Sequence, residues 1–274
     1  MLHVDRSQGW GDLLVRPSAR WLQRAAIVSV LLLVGATAAS PQTLAASGES
    51  IVTTLVRWTP LIARGFALNL AISFLAMAIG TVAGVALGLA RISLLPPVRA
   101  GAWLTTQFFR NAPWLALLFF CVYALPHQVS LGGVRVILPD WTKATLGLAL
   151  PVMANVAEIV RGAIQAIPNA QWQAARAVGL NRLLTLRLVI LPQCIKRMLP
   201  PWMNIYCIVA MSTVLASIVG VSEMLTLTAQ VHAAEGGRPE LFAPLYGFAL
   251  LCFFLYCYPI NLWTARLERR FQTG

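Results

Sequence analysis

The side chains able to do chemistry are few, and they sit among apolar residues. Glu158 and Arg161 lie in AEIVRGAIQAIP, one helical turn apart, so they share a face and can pair. An unpaired carboxylate at mid-bilayer costs roughly 2.5–3.5 kcal/mol on insertion scales, so pairing, or a place near the interface, is expected. That role is structural: an ion pair bracing the helix end. Asn155, one turn deeper, is a candidate for a polar pathway. Ser212, Thr213 and Ser217, in MSTVLASIVGVSEML, are further candidates, and the competing reading has these hydroxyls bonded back to their own helix. Catalysis is not suggested. The sequence has no H-E-x-x-H and no paired His/Asp set, and neither Lys143 nor Lys196 follows a glycine as a P-loop requires. The 5 cysteines lack metal-ligand spacing, so free thiols and no metal site are expected.

The elements that must position these residues are membrane spans. Of 274 residues, 58% are hydrophobic and 11% charged, with a mean hydropathy of +0.73. A soluble domain carries about a quarter charged residues, so this composition belongs to an integral membrane protein. The net charge of +12 does not indicate nucleic acid, because the arginines flank apolar runs and read as topology signals.

In chain order, residues 1–20 form a polar arm with Arg6, Arg16 and Arg20. Residues 21–39 are long enough to cross ~30 Å of hydrocarbon. The rival reading is a cleaved signal peptide. A connector at 41–59 leads to a second span at 61–90, where Gly80, Gly84 and Gly88 make a small-residue face expected to pack within the chain. FFRNAPWLALLFF at 108–120 enters a third span ending near Pro126, and Pro113 breaks its helix. A short loop at 127–143, with Lys143 at its end, precedes a fourth span at 144–164. A fifth span is expected at 200–225, an external loop at 226–243 and a sixth span at 244–263, followed by an arginine-bearing tail. With both termini inside, most of the 21 lysines and arginines fall on the cytoplasmic side.

One stretch, residues 171–192, QWQAARAVGLNRLLTLRLVILP, is neither span nor simple loop. Residues 173–178 predict a short helix that Gly179 ends by taking positive φ. Asn181 sits where an N-cap opens a second short helix, with Leu180, Leu183, Leu184 and Leu188 as its apolar stripe and Pro192 as its stop. Two short helices meeting at a glycine suggest a docking element for another protein.

This stretch resembles the cytoplasmic EAA loop of ABC importer permeases: E-A-A, three residues, Gly, nine residues, I-x-L-P. Ala174 and Ala175 precede Gly179 at that distance, and Leu191-Pro192 close the pattern. Gln173 replaces the acidic residue, which removes a charge and leaves the docking shape. AEIVRGAIQAIP is similar to the family's A-E-I-F-R-G-G-I-Q-S-I-P, and FFRNAPWL to F-F-R-G-T-P-L-L. In the fifth span Met211, Ser212 and Val214 depart from the family string, while Thr213, Leu215, Ser217 and Gly220 keep it.

The resemblance covers about residues 61–270, leaving 1–60 as arm, first span and connector. It implies an all-α integral membrane bundle of about six transmembrane helices, of the type I (MetI-like) permease fold. Residues 163–197 would be the coupling loop, with Gln173, Ala174, Ala175, Gly179, Leu180 and Arg182 meeting the ATPase. The implied function is the permease subunit of an ATP-driven importer of polar amino acids in the bacterial inner membrane. The implied partners are a cytoplasmic ABC ATPase dimer, a second permease subunit (the same chain or a paralogue), an extracytoplasmic substrate-binding protein and membrane lipid. ATP and Mg would sit on the ATPase, with no cofactor and no enzyme activity in this chain. The alternative is an ion-coupled secondary transporter of small polar solutes, which needs an acidic or histidine relay inside the membrane.

Overall fold

The computed structural model describes residues 50–131 and 134–272. The arm, the expected span at 21–39, most of the connector and the Gly132-Gly133 turn lie outside the described residues.

Helix α1 runs over Ile51–Ala90, 40 residues, and opens with Ser50 accepting from the Val52 N–H as its N-cap. It therefore begins about ten residues earlier than the sequence suggested, and the last part of the expected connector is helical. At 1.5 Å per residue it is about 60 Å long, roughly twice the hydrocarbon thickness. Helix α2, Pro96–Asn111, starts on two prolines whose missing N–H groups would be unpaired there in any case. Helix α3, Trp114–Ala124, follows after a break at Ala112 and Pro113. The third expected span thus becomes two helices, and the 11 residues of α3 reach only about 16 Å, too short to cross alone.

Strands β1 (Gln128–Leu131) and β2 (Val134–Ile137) form an antiparallel hairpin with Gln128 opposite Ile137. It stands where a plain loop was expected. Helix α4 spans Asp140–Gln165, so Lys143 belongs to it rather than to the loop. Lys143 is buried, and its ammonium donates to Asp140 Oδ1 at 3.0 Å and the Val122 carbonyl at 3.4 Å.

Helices α5 (Asn169–Ala177) and α6 (Arg182–Thr185) form the elbow. A wide π-type turn, Leu186–Ile190, then leads directly into α7, Leu191–Ser212. Pro192 does not stop the chain as its type suggests. It sits in the first turn of α7, and the wide turn before it accommodates a ring that would clash with a regular helix's carbonyl four residues back. The expected fifth span is also broken at its far end. A 3₁₀ segment, Thr213–Val219, closes at Gly220 with φ of 90°, and α8, Met224–Ala234, occupies what was read as an external loop. Helix α9, Pro239–Gln272, extends the sixth span and most of the tail. Among the described residues, four helical stretches are long and apolar enough to cross a membrane: α1, α4, the run from α6 through the 3₁₀ segment, and α9.

The core lies mainly between α1 and α4. Ile72, Ala76 and Met77 meet Leu148, Val152, Val156 and Val160 in one buried cluster. The glycine face packs within the chain as expected. A Cβ on Gly80 would clash with the Val152 side chain, on Gly84 it would meet the Met153 carbonyl at 2.7 Å, and on Gly88 Val160 at 2.7 Å. A second cluster of Ile62, Met224, Leu241 and Leu245 ties α8 and α9 to the first half of α1.

Candidate functional site

Glu158 sits on α4 near its C-terminal end and gathers three arginines. Its Oε1 accepts from Arg161 Nε at 3.1 Å and from Arg161 Nη2, so the expected pair forms. Its Oε2 accepts from Arg91 Nη1 and lies 3.7 Å from Arg110 Nη1. Arg91 follows directly on α1 and Arg110 lies in the last turn of α2, so one carboxylate joins three helices. The Arg91 side chain is only 7% exposed, whereas Arg110 is 44% exposed. Sequence reasoning missed these two arginines as partners. The signal for Arg91 lay in the glycine face, which lays α1 along α4 and delivers its end to Glu158.

Beside this cluster is an open cavity of about 510 Å³, lined by Arg110, Asn155, Glu158, Arg197, Pro201 and Asn204 among others. Asn155 thus reaches the cavity wall, its amide donating to the Pro151 carbonyl at 2.8 Å. The three hydroxyls do not line it. Ser212 donates to the Ile208 carbonyl at 2.8 Å, Thr213 to Ala210 at 2.7 Å and Ser217 to Val214 at 2.7 Å, each within its own helical turn.

Thr213 has a second role. Its Oγ1 accepts from Asn69 Nδ2 at 2.9 Å, and the same amide nitrogen donates to Glu223 Oε2 at 2.9 Å. Asn69 Oδ1 accepts from the Met224 N–H at 3.0 Å, and Glu223 Oε1 accepts from the Thr226 N–H at 2.9 Å as the N-cap of α8. Asn69, Thr213 and Glu223 are all fully buried. A polar group buried without partners costs a few kcal/mol, so this network fixes where the 3₁₀ segment and α8 meet α1.

The elbow is built as its residues suggest. Gly179 has φ of 81°, its N–H donates to Arg176 O at 2.9 Å, and the Leu180 N–H donates to Ala175 O at 3.1 Å. These two bonds make a Schellman C-cap. Asn181 Oδ1 then accepts from the Leu184 N–H at 2.9 Å, capping α6. Ala175 is buried, while Gln173, Ala174 and Arg182 are exposed and Leu180 is half-buried. Val178, Leu183 and Leu188 are large apolar groups left exposed on this element. One arginine clips the elbow to the bundle and a second, on α7, ties α7 to α4, each by capping a carbonyl at a helix C-terminal end. Arg182 Nη2 donates to Ile92 O at 2.9 Å just beyond α1, and Arg197 Nη1 to Ala166 O at 3.2 Å just beyond α4.

At the opposite end of α1, Glu235 collects Arg57, Trp58 Nε1 at 2.7 Å and Arg238 Nη2 at 2.9 Å. The Trp58 hydrogen bond, with those of the arginines, holds its carboxyl below the usual glutamate range against the opposing effect of burial.

Long apolar helices, a charged cavity and an exposed, rigidly capped elbow at one end define a membrane transport subunit that works with another protein. The chain belongs to the family described as binding-protein-dependent transport system inner membrane component, whose family model matches residues 80–273. It is 32% identical over 212 residues to the probable amino-acid ABC transporter permease protein YckA of Bacillus subtilis, covering 77% of this chain and 89% of that one. It is 30% identical over 220 residues to the glutamine transport system permease protein GlnP of Escherichia coli K12, covering 78% and 94%. Among solved structures it shares its fold with a chain from the crystal structure of an amino acid ABC transporter with histidines. The TM-score is 0.67 and the identity 24%, covering 81% of this chain and 99% of the other. A chain of the MetNI methionine ABC transporter, in an inward-facing form, matches with a TM-score of 0.63 at 19% identity over 78% and 98%.

Proposed function

We propose that this chain is the permease subunit of an ATP-driven, binding-protein-dependent importer of amino acids, with residues 61–270 as the transport unit. The capped elbow carries this reading. A Schellman cap followed directly by a side-chain N-cap gives a stiff bend with exposed Val178 and Leu183, and it stands at the same end of the bundle as the cavity. Amino acids are the substrate class of the relatives by name, and the cavity is lined by both signs of charge and by two amides.

In this reading the elbow end faces the cytoplasm of a bacterial inner-membrane protein, and both termini lie inside. Gln173, Ala174, Ala175, Gly179, Leu180 and Arg182 form the contact with an ABC ATPase dimer that holds ATP and Mg. The Glu235 end faces a substrate-binding protein, and a second permease subunit, the same chain or a paralogue, completes the pathway. Transport follows alternating access. To swing access from 1:99 to 99:1 the ATP-bound partner must favour one state by ~5.5 kcal/mol, and that load passes through the elbow.

The ion-coupled alternative loses support, because Glu158 is committed to arginines and Glu223 to capping α8. The test is uptake by the reconstituted complex. Gly179→Pro, which no longer allows positive φ, or Ala175→Asp, which puts a charge at a buried position, should uncouple ATP hydrolysis from uptake while the permease stays in the membrane. Undiminished, ATP-coupled uptake by both variants contradicts the assignment.

A further inference from the structure

We propose that Glu158 is a positioning residue that carries the motion of the elbow to the mouth of the cavity. This rests on the elbow being the driven element, as proposed above, and adds the route by which the drive reaches the pathway.

The route begins at Arg182 on α6, whose guanidinium donates to the Ile92 carbonyl. Ile92 and Arg91 occupy the same turn after α1, so whatever moves one carbonyl moves the neighbouring side chain. The Arg91 side chain is only 7% exposed, so its guanidinium cannot exchange the carboxylate for solvent without breaking open the packing around it, and this link is stiff. Glu158 in turn lines the cavity and faces Arg110, which lines it too. The Arg110 contact is of another kind. At 3.7 Å it is an ion pair beyond hydrogen-bond length, and its exposed guanidinium can exchange the carboxylate for water at little cost. A stiff link in series with a loose one concentrates displacement at the loose one. Movement of the elbow therefore appears as separation or closure between Arg110 and Glu158, across the cavity wall. Arg110 is well placed to respond, because the chain breaks at Ala112 and Pro113 immediately after it. The second clip, Arg197 on Ala166, holds the C-terminal end of α4 to α7, so that α4 does not simply slide along.

Adjacency alone does not establish coupling; a double-mutant cycle does. The experiment uses the permease reconstituted in proteoliposomes with its ATPase and binding protein, and reads ATP hydrolysed per amino acid imported. Arg182→Ala, Glu158→Gln and Arg110→Gln should each raise that ratio, by roughly 2- to 30-fold. Arg182→Ala combined with Arg110→Gln should be no worse than the worse single variant, because both cut the same series path. Arg110→Gln changes only the exposed end of the route, so it tests the proposal even if Glu158→Gln fails to accumulate. A ratio unchanged in Arg110→Gln, or a double variant whose effect is the product of the singles, overturns the proposal while leaving the importer reading intact. A wild-type complex without ATP-driven amino-acid uptake overturns both.

Discussion

Asn69 and Glu223 are joined by a hydrogen bond of 2.9 Å in the interior of the bundle, across 154 residues of sequence. The same asparagine also holds Thr213 and the Met224 N–H, so one side chain on α1 pins both the 3₁₀ segment and the start of α8. Replacing it by leucine strips partners from buried acceptors and from a buried N–H, each worth about 1–3 kcal/mol when left unmade. Asn69→Leu should unfold at clearly lower temperature than wild type, and Asn69→Gln should recover only part of the loss because its amide is displaced by one methylene. Thermal unfolding of the purified protein measures both. Wild-type stability in Asn69→Leu contradicts the assigned role.

The contact between α1 and α4 predicts a sharp contrast between glycines. Gly84 faces the Met153 carbonyl and the Val156 side chain, and an added methyl has no room. Gly84→Ala should destabilise by about 1–3 kcal/mol through overpacking. Gly101 on α2 has open space around it, so Gly101→Ala should be neutral or stabilising by up to about 1 kcal/mol. Equal effects from the two substitutions would mean that helix propensity, not packing, governs this face.

Gly220 separates backbone from packing effects. Its φ is 90° and nothing lies within 4 Å of a Cβ built on it. Gly220→Ala should cost about 1–2 kcal/mol from the left-handed conformation alone. Gly220→Asn, whose side chain tolerates that region better, should lose less. Circular dichroism melts of the two variants side by side give the ordering, and alanine equal to or better than asparagine refutes it.

The depressed carboxyl of Glu235 makes stability depend on pH at that end of the molecule. A group whose folded pKa lies below its unfolded value stabilises fully above the unfolded value, near 4.3 for glutamate. That contribution is lost as pH falls through the folded value. Wild type should therefore lose stability on acidification below the ordinary glutamate range, as the Trp58, Arg57 and Arg238 contacts give way. Glu235→Gln should show a flatter profile over the same window. Parallel profiles for the two proteins contradict the assignment.

Much of the site was legible locally because its parts are local. The Schellman cap at Gly179 and the N-cap at Asn181 are made by residues within a few positions of each other, and their types announce them. The pairing of Glu158 with Arg161 is one turn of helix and follows from spacing. The ends of spans were less legible. Pro192 looks like a stop, yet a wide turn before it lets the helical path continue. The break at Pro113 follows from its residue type, but Gly220 divides a run whose hydropathy is continuous, so the fifth span reads as a single segment.

Composition and spacing by themselves determined that the chain enters a membrane, where its elbow lies and that the elbow is capped on both sides of its bend, because hydrophobicity and capping act over one segment at a time. Tertiary structure alone decided that Arg91 and Arg110 join Arg161 on one carboxylate, that Asn155 reaches the cavity while Ser212, Thr213 and Ser217 bond back to their own turns, and that Asn69 meets Glu223. The partners of Glu158 beyond Arg161, and those of Asn69, come from different elements of the fold. The meeting of Arg91 with Glu158 depends on how far α1 sinks onto α4, which is set by the glycines opposite Val152, Val156 and Val160, and that of Asn69 with Glu223 on the approach of α1 to α8, where Gly65 faces Met224.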